Sequence, residues 1–264
     1  MIKFFIVTPS YNQVQFLERT IESVLQQKGD FELEYWVLDG ASDDGSREIL
    51  EKYHQQLNWR SEKDEGQVDA INQGLELMWQ EHGAQKKLIF CYLNSDDTLE
   101  PGALQAVATQ FKKNPDQDWL VGDAKIINAQ DQAIQKPIQI YKKIWRRLWQ
   151  VWPQAIYLLN PIPQPATFIR ASLTKKIGHF KPKLKYAMDY DYWLRCLKQA
   201  GKPILLKQSL ANFRIHEQTK GTTGFREQFT EQLTVATSQT QNKFLLALHR
   251  LHNQFIFFIY QLIK

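Results

Sequence analysis

Asp96 and Asp97 are adjacent carboxylates at the end of Leu88-Ile89-Phe90-Cys91-Tyr92-Leu93-Asn94-Ser95-Asp96-Asp97. The stretch begins as an apolar run, too short for a buried helix and bulky enough for a central strand. Glu100-Pro101-Gly102 then opens a helix. Two acids at the carboxyl end of a buried strand repel each other and are costly to desolvate, so a core has no use for them. A divalent cation does, because hard cations take oxygen ligands, and a metal bridging protein to diphosphate needs only one or two carboxylates. The competing role is a cap on the following helix. This stretch alone leaves both open. Asp39 also ends an apolar run, and Arg214 and His216 precede a Gly/Thr-rich loop, Lys220 to Gly224. Guanidinium and imidazole suit phosphate oxygens there, with a solvated loop pair as the alternative.

The elements that must position these groups follow from the apolar pattern. Phe4 to Val7 reads as a first buried strand, broken by Thr8-Pro9-Ser10-Tyr11-Asn12. Val14, Leu17, Ile21 and Val24 then recur at helical spacing, with Asn12 and Gln15 placed as a capping box. Tyr35 to Leu38 is a second strand, and Asp43, Asp44 and Ser46 read as turn and N-cap residues before the next helix. Trp59 to Glu62 is a weak third strand, followed by a helix with Val68, Ile71, Leu75 and Met78 on one face. The strand ending at Asp96-Asp97 is the fourth. Three strand–helix alternations predict a parallel sheet with right-handed crossovers and a ligand at its carboxyl edge. After Pro101 the alternation loosens. Trp119 to Val121, Lys125 to Asn128, Ala166 to Arg170, Leu205-Leu206 and Ala211 to His216 read as short strands, and Tyr186 to Arg195 opens a helix. Glu217 to Gln241 reads as a polar stretch before a last helix.

Composition narrows the classes. The 264 residues are 43% hydrophobic and 23% charged, ordinary for a soluble globular protein of one large domain or two halves sharing a core. The formal net charge of +5 suits an anionic ligand or membrane surface, and no nucleic-acid motif is visible. Cys91 and Cys196 sit in apolar surroundings and read as reduced core residues. No signal-peptide pattern or bilayer-spanning run is present, which predicts a cytoplasmic protein. The loop after the first strand lacks the glycines of a dinucleotide fingerprint, which argues against a dehydrogenase, and is not the basic glycine-rich loop of a nucleotidyltransferase.

Five segments in order carry a family resemblance: Thr8-Pro9-Ser10-Tyr11-Asn12, Val37 to Ser46, Glu65 to Gly74, Leu93 to Asp97 and Asp189 to Arg195. Together they resemble the family 2 glycosyltransferases over roughly residues 3 to 220. The resemblance implies a GT-A fold: a mostly parallel α/β sheet flanked by helices, with a Rossmann-like nucleotide half over 1–97 and an acceptor half over 98–215. A lid loop and an amphipathic C-terminal helix would fill 216–264. It implies that Pro9 and Tyr11 border the base of a nucleotide-sugar donor, that Asp39 hydrogen-bonds the base, and that Asp64 and Asp69 line the nucleoside pocket. Asp96 and Asp97 match the acidic "DXD" motif, with Asp97 as the ligand of Mn2+ or Mg2+ and Asp96 nearer the ribose or metal. Asn94 departs from the family, standing where many members carry the first acid. Asp189 matches the catalytic base, with Met188 in place of the acid often found before it. Arg214 and His216 match a basic pair that closes over the diphosphate.

The implied reaction is inverting transfer of a sugar, from a UDP-sugar, to a hydroxyl of a glycan or lipid-linked acceptor in surface polysaccharide or glycolipid synthesis. One carboxylate takes the acceptor proton, whereas retention would need a second as nucleophile. Asp191 is the alternative base, although side chains two apart at a helix start diverge. Outside enzymes, the competing reading is an inactive nucleotide-sugar-binding scaffold or sensor.

Two surface segments remain. Lys142 to Trp152 mixes cations with tryptophans, which suits an anionic headgroup region, an acceptor subsite or a core cover. In residues 243–264, Phe244, Leu248, Leu251, Phe255, Phe258 and Leu262 form an apolar stripe interrupted by His249, Arg250, His252, Asn253 and Gln254. It reads as an interfacial helix on the inner face of the plasma membrane, with homodimer packing or docking on its own domain as competing accounts.

Overall fold

A computed structural model describes residues 1–217, 219 and 224–263, without the side chains of 225 and 259–263. The nucleotide-type half runs β1 (Lys3–Ser10), α1 (Val14–Leu25), β2 (Glu32–Asp39), α2 (Ser46–Lys52), β3 (Asn58–Ser61), α3 (Gln67–His82) and β4 (Leu88–Tyr92). The second half runs β5 (Thr98–Leu99), α4 (Ala103–Lys113), β6 (Trp119–Ile127), α5 (Lys136–Val151), β7 (Thr167–Arg170), α6 (Ala171–Ile177), α7 (Met188–Ala200) and β8 (Ile204–Arg214). Helices α8 (Phe225–Gln239) and α9 (Lys243–Ile263) end it.

All eight strands form one sheet in the order β3-β2-β1-β4-β7-β6-β8-β5, so the two halves share it. Pairing is parallel from β3 through β4, and mixed beyond it, where β7 is antiparallel to both β4 and β6. The central strands are apolar on both faces because both are covered. Phe5, Val7, Phe90 and Tyr92 enter one core with α3 and α7; Phe4, Ile6, Ile89 and Cys91 enter the other with α1 and α4. Gly74 lets α3 approach β1: a Cβ there would stand 2.6 Å from Val7 Cγ2. β1 lies between β2 and β4, so the crossovers leave it in opposite directions and open a crevice at its carboxyl end.

Several local expectations need correction. The Asn12/Gln15 capping box does not form. Asn12 instead adopts a left-handed φ of 51°, and Asp44 Oδ2 accepts from Val14 N at 2.8 Å. Asp44 Oδ1 also accepts from Ser46 N, so one turn carboxylate serves the starts of both α1 and α2. The short strands around Gly122-Asp123 are one strand, β6, whose register shifts there. Leu205-Leu206 and Ala211 to His216 merge likewise into β8, which ends at Arg214. The Lys/Arg/Trp-rich segment is mostly helix α5, and the polar stretch contains α8. The apolar contribution of α8 is small, with Val235 and Ala236 buried, which is why a Gln/Thr/Ser-rich segment concealed it.

Candidate active site

The first wall of the crevice is made where β1 and β2 end side by side, with Pro9 beside Leu38 and Ser10 beside Asp39. Their loops are tied together: Ser42 Oγ accepts from Asn12 N at 2.8 Å and Asn12 Oδ1 accepts from Asp43 N at 3.1 Å. This holds Tyr11 outward, 62% exposed. Asp39 is buried and accepts from Ser42 N at 2.9 Å and Ser61 Oγ at 2.7 Å. Asp64 lies against the backbone of Gly40, where a Cβ would come within 3.1 Å of its Oδ1, so Asp39 and Asp64 are neighbours. Asp69 is on the first turn of α3, accepting from Glu65 N at 3.2 Å and Gln73 Nε2 at 3.0 Å, and faces an open groove of about 520 Å³ that Arg60 and Asn72 also line.

The two acids after β4 have opposite environments. Asp97 is fully buried; its Oδ1 accepts from Arg214 N at 2.8 Å and its Oδ2 from Asn94 Nδ2 at 3.3 Å. Burial, with Asp96 alongside, pushes Asp97 far above the ordinary carboxylate range against those two bonds. Asp96 remains partly exposed, with Oδ2 3.0 Å from His216 Nε2. The position that can meet a cation from solvent is therefore Asp96, with the His216 imidazole beside it. Asp97 has no open face. The amide at Asn94 does what a carboxylate could not: it donates to Asp97 and to Gln164 Oε1 while accepting from Gln67 Nε2 at 2.6 Å.

Arg214 is not available to close over a ligand. It is fully buried, its guanidinium donating to Asp96 O at 2.7 Å and Asn128 O at 2.9 Å and pairing with Asp131 at 2.6 Å. It also lies over the Phe16 ring, 5.0 Å from the centroid. Its work is to brace the acidic turn. Of the expected lid, Gln218 and Lys220 to Thr223 fall outside the described residues.

The opposite wall is the N-terminus of α7. Asp189 Oδ1 accepts from Tyr190 N at 2.6 Å and Oδ2 from Asn160 Nδ2 at 3.2 Å. Burial raises the Asp189 carboxyl to about 6, although the Tyr190 N–H, the Lys142 ammonium and Asn160 favour its ionised form. Glu231 of α8 holds the approach to this helix, its carboxylate accepting from Lys185 N at 2.9 Å and from Tyr186 N and Ala187 N at 2.6 Å each. Asp191 points elsewhere. It is fully buried between Lys181 Nζ at 2.6 Å and Arg195 Nε at 2.8 Å, so the alternative base is spent on a structural ion triad.

Tyr92 joins the two walls. Its ring packs edge-on against Phe180, and its buried hydroxyl makes no hydrogen bond. Burial, then the charges of Asp189 and Asp97, push the phenol well above its usual range. A buried hydroxyl without a partner between two acids is an atom that a bound ligand would satisfy. Sequence reasoning passed over Tyr92 and Gln164, which donates to Tyr92 O at 2.7 Å, because a strand aromatic and a loop glutamine carry no spacing signal. Glu231 was missed because it lies in the polar stretch, whereas Lys142 falls in the segment read as a possible acceptor subsite.

The family model described as Glycosyl transferase family 2 matches residues 5–162, more than half of the chain. An uncharacterized glycosyltransferase of Mycobacterium tuberculosis is 27% identical over 215 residues, which are 79% of this chain and 73% of that one. Another from Rickettsia typhi is 25% identical, covering 91% of this chain and 76% of the relative. Among solved structures, S. aureus TarS 1–349 in complex with UDP-GlcNAc shares the fold with a TM-score of 0.65 at 18% identity, over 90% of this chain and 66% of that one. The mannosyltransferase PcManGT from Pyrobaculum calidifontis, in complex with GDP-Man and Mn2+, gives a TM-score of 0.65 at 13% identity over 95% and 73%. The chain spans 39% of the longer TarS chain. The family match takes in the parallel half from Phe5 onward and the acidic turn at its edge, and on that match the chain belongs to glycosyl transferase family 2, as a glycosyltransferase of GT-A-type fold.

Proposed function

We propose that this glycosyltransferase moves a sugar, with inversion, from a UDP-sugar to a hydroxyl of a glycan or lipid-linked acceptor, meeting that acceptor at the inner face of the plasma membrane. The observation that carries the reading is Asp189. It is a carboxyl at the N-terminus of α7, raised by burial to about 6 and lying across Tyr92 from the acidic turn. A base works best when its pKa lies near the operating pH. Asp189 takes the proton of the acceptor hydroxyl as that oxygen bonds to the anomeric carbon. The bond from that carbon to the diphosphate breaks, and its electrons leave with the diphosphate. Asp191 is engaged by Lys181 and Arg195 and offers no second nucleophile, which favours one displacement and inversion.

In this reading Tyr11 and Pro9 border the base, Asp39 contacts it, and Asp64 and Asp69 line the nucleoside side. Asp96, with His216 beside it, would hold the divalent cation, Mn2+ or Mg2+, through its carboxylate, while Asp97 keeps the turn in shape. When bound, the cation offsets the charge that develops on the diphosphate. Solved structures of two neighbours of the same fold hold UDP-GlcNAc, and GDP-Man with Mn2+, which lends support to a nucleotide-sugar donor and a metal.

The test is release of free nucleoside diphosphate from UDP-, GDP- and dTDP-sugars, with Mn2+ or Mg2+ or with EDTA, for the wild type, Asp96→Asn and Asp189→Asn. Metal-dependent turnover of one donor, lost in both variants, is expected. Tight donor binding without turnover, even with crude lipid extract as acceptor, would give the chain to the inactive binding scaffold instead.

A further inference from the structure

Eleven large apolar side chains are strongly exposed among the described residues, and eight of them lie on just two helices. On α5 these are Ile138, Ile140, Ile144 and Val151; on α9 they are Phe244, Leu251, Phe255 and Phe258. Ile140, Ile144 and Val151 are spaced by four and seven residues, and the four on α9 by seven, four and three, so each helix has an outer stripe, with Ile138 off the α5 stripe. The opposite face of α9 is already covered. Leu245, Leu246, His249 and Asn253 are buried, with His249 Nδ1 donating to Tyr157 O at 2.7 Å. Docking on its own domain thus accounts for one side of α9 and leaves the other bare. The two helices are fastened to each other by Tyr141, whose hydroxyl is 2.6 Å from His252 Nε2, and by Trp145 edge-on to the same imidazole. Ile138 and Ile144 are each three residues from Tyr141, and Leu251 and Phe255 are one and three from His252. The stripes therefore flank one seam.

The sequence that forms this seam is basic, and Asp123 of β6 pairs with only Lys143 and Arg146 of its cations among the described residues. Residues 132–188 contain eleven Lys and Arg and no acid, residues 232–264 contain three and no acid, and all 28 acids of the chain lie elsewhere. Lys136, Arg147, Lys243 and Arg250 are exposed on the two helices, and none of them has an ion-pair partner among the described residues. No described helix is long and apolar enough to cross a membrane. We propose that α5 and α9 together form a seat for an anionic bilayer surface, the two stripes entering the headgroup boundary and the cations meeting lipid phosphates. A second copy fits this face less well, because a twofold contact would set each cationic patch against itself. The proposal rests on the lipid-linked acceptor argued above and specifies which surface meets the membrane.

The experiment is co-sedimentation of the full chain with vesicles of phosphatidylcholine alone or with one-third phosphatidylglycerol, at low and high salt. Sedimentation velocity without vesicles and donor hydrolysis in solution run alongside. Binding is expected only to the anionic vesicles and is expected to weaken with salt. Arg147→Ser with Arg250→Ser should weaken it by about fivefold for each cation removed. The apolar triple variant, with Ile144, Leu251 and Phe255 each replaced by Ser, should abolish it, and donor hydrolysis should be unchanged in every variant. Equal binding by wild type and triple variant, or none by the wild type, would overturn the proposal. So would a wild-type dimer in solution that the same triple variant dissociates, since the second copy would then own the face. Loss of donor turnover in the wild type with vesicle binding intact would instead overturn the reaction and leave the seat standing.

Discussion

At pH 8, Asp189→Asn should make the protein more stable while removing its turnover. Burial holds the Asp189 carboxyl at about 6, against an ordinary value of 3.8. Ionised at pH 8, it costs the fold about 3 kcal/mol, at about 1.4 kcal/mol per pH unit of that difference. The native state binds this proton more tightly than the unfolded chain, so the wild type loses stability as pH rises from about 3.8 through about 6. Asparagine cannot ionise and keeps an acceptor for Tyr190 N, while its NH2 replaces the oxygen that accepted from Asn160, whose amide must turn over to bond it, much as it must for the protonated acid. For 264 residues the unfolding entropy is about 0.55 kcal/mol per kelvin, so the variant should melt about 5 °C higher at pH 8. At pH 4 the gap should shrink to about 1 °C, because the native wild-type carboxyl is already protonated there. Calorimetry of both proteins from pH 4 to pH 8 measures the gap, and donor turnover should fall by about a hundredfold or more. A gap that does not change with pH, or an Asn variant that melts lower at pH 8, would refute the reasoning about burial.

Two further substitutions separate support from chemistry. Asp191→Ala leaves Lys181 and Arg195 facing each other without their shared carboxylate, and should cost about 3–5 kcal/mol in urea unfolding with little change in turnover per folded molecule. A large turnover loss without destabilisation would return the role of base to Asp191. Glu231→Ala frees three backbone N–H groups ahead of α7, and should cost about 1.5–3 kcal/mol and reduce turnover, with Glu231→Gln recovering part of both. Turnover as high as wild type in the folded alanine variant would show that Glu231 does not position Asp189.

The parallel half was legible in the residues because its signals are local. Phe4 to Val7, Tyr35 to Leu38 and Leu88 to Tyr92 are runs that only a strand covered on both faces tolerates, each followed by turn residues and a helical apolar period. Strand, turn and helix in that order place Tyr11, Asp39 and Asp96 at one sheet edge with no knowledge of the rest of the chain. The late elements were fragmentary for the opposite reason. β6 and β8 share a register shift at Gly122-Asp123 that interrupts their alternation, and α8 contributes only a few buried apolar residues, which leaves almost no helical period to read.

What each acid does was decided only by tertiary structure. Asp96 and Asp97 are indistinguishable by type and differ by one position. Their roles separate because the Arg214 backbone, 117 residues further on, caps Asp97 while its side chain holds the Asp96 carbonyl, leaving the Asp96 carboxylate beside His216 at the crevice. Asp189 and Asp191 separate because Lys181 and Arg195 claim the second, while Asn160, Lys142 and the Glu231-held turn surround the first. Composition and periodicity report what a residue needs from its near neighbours. Whether a carboxylate meets solvent, a cation or a guanidinium depends on which groups the fold turns toward it, from Arg195 four residues from Asp191 to Arg214 117 residues from Asp97, and that is decided only once the chain has closed on itself.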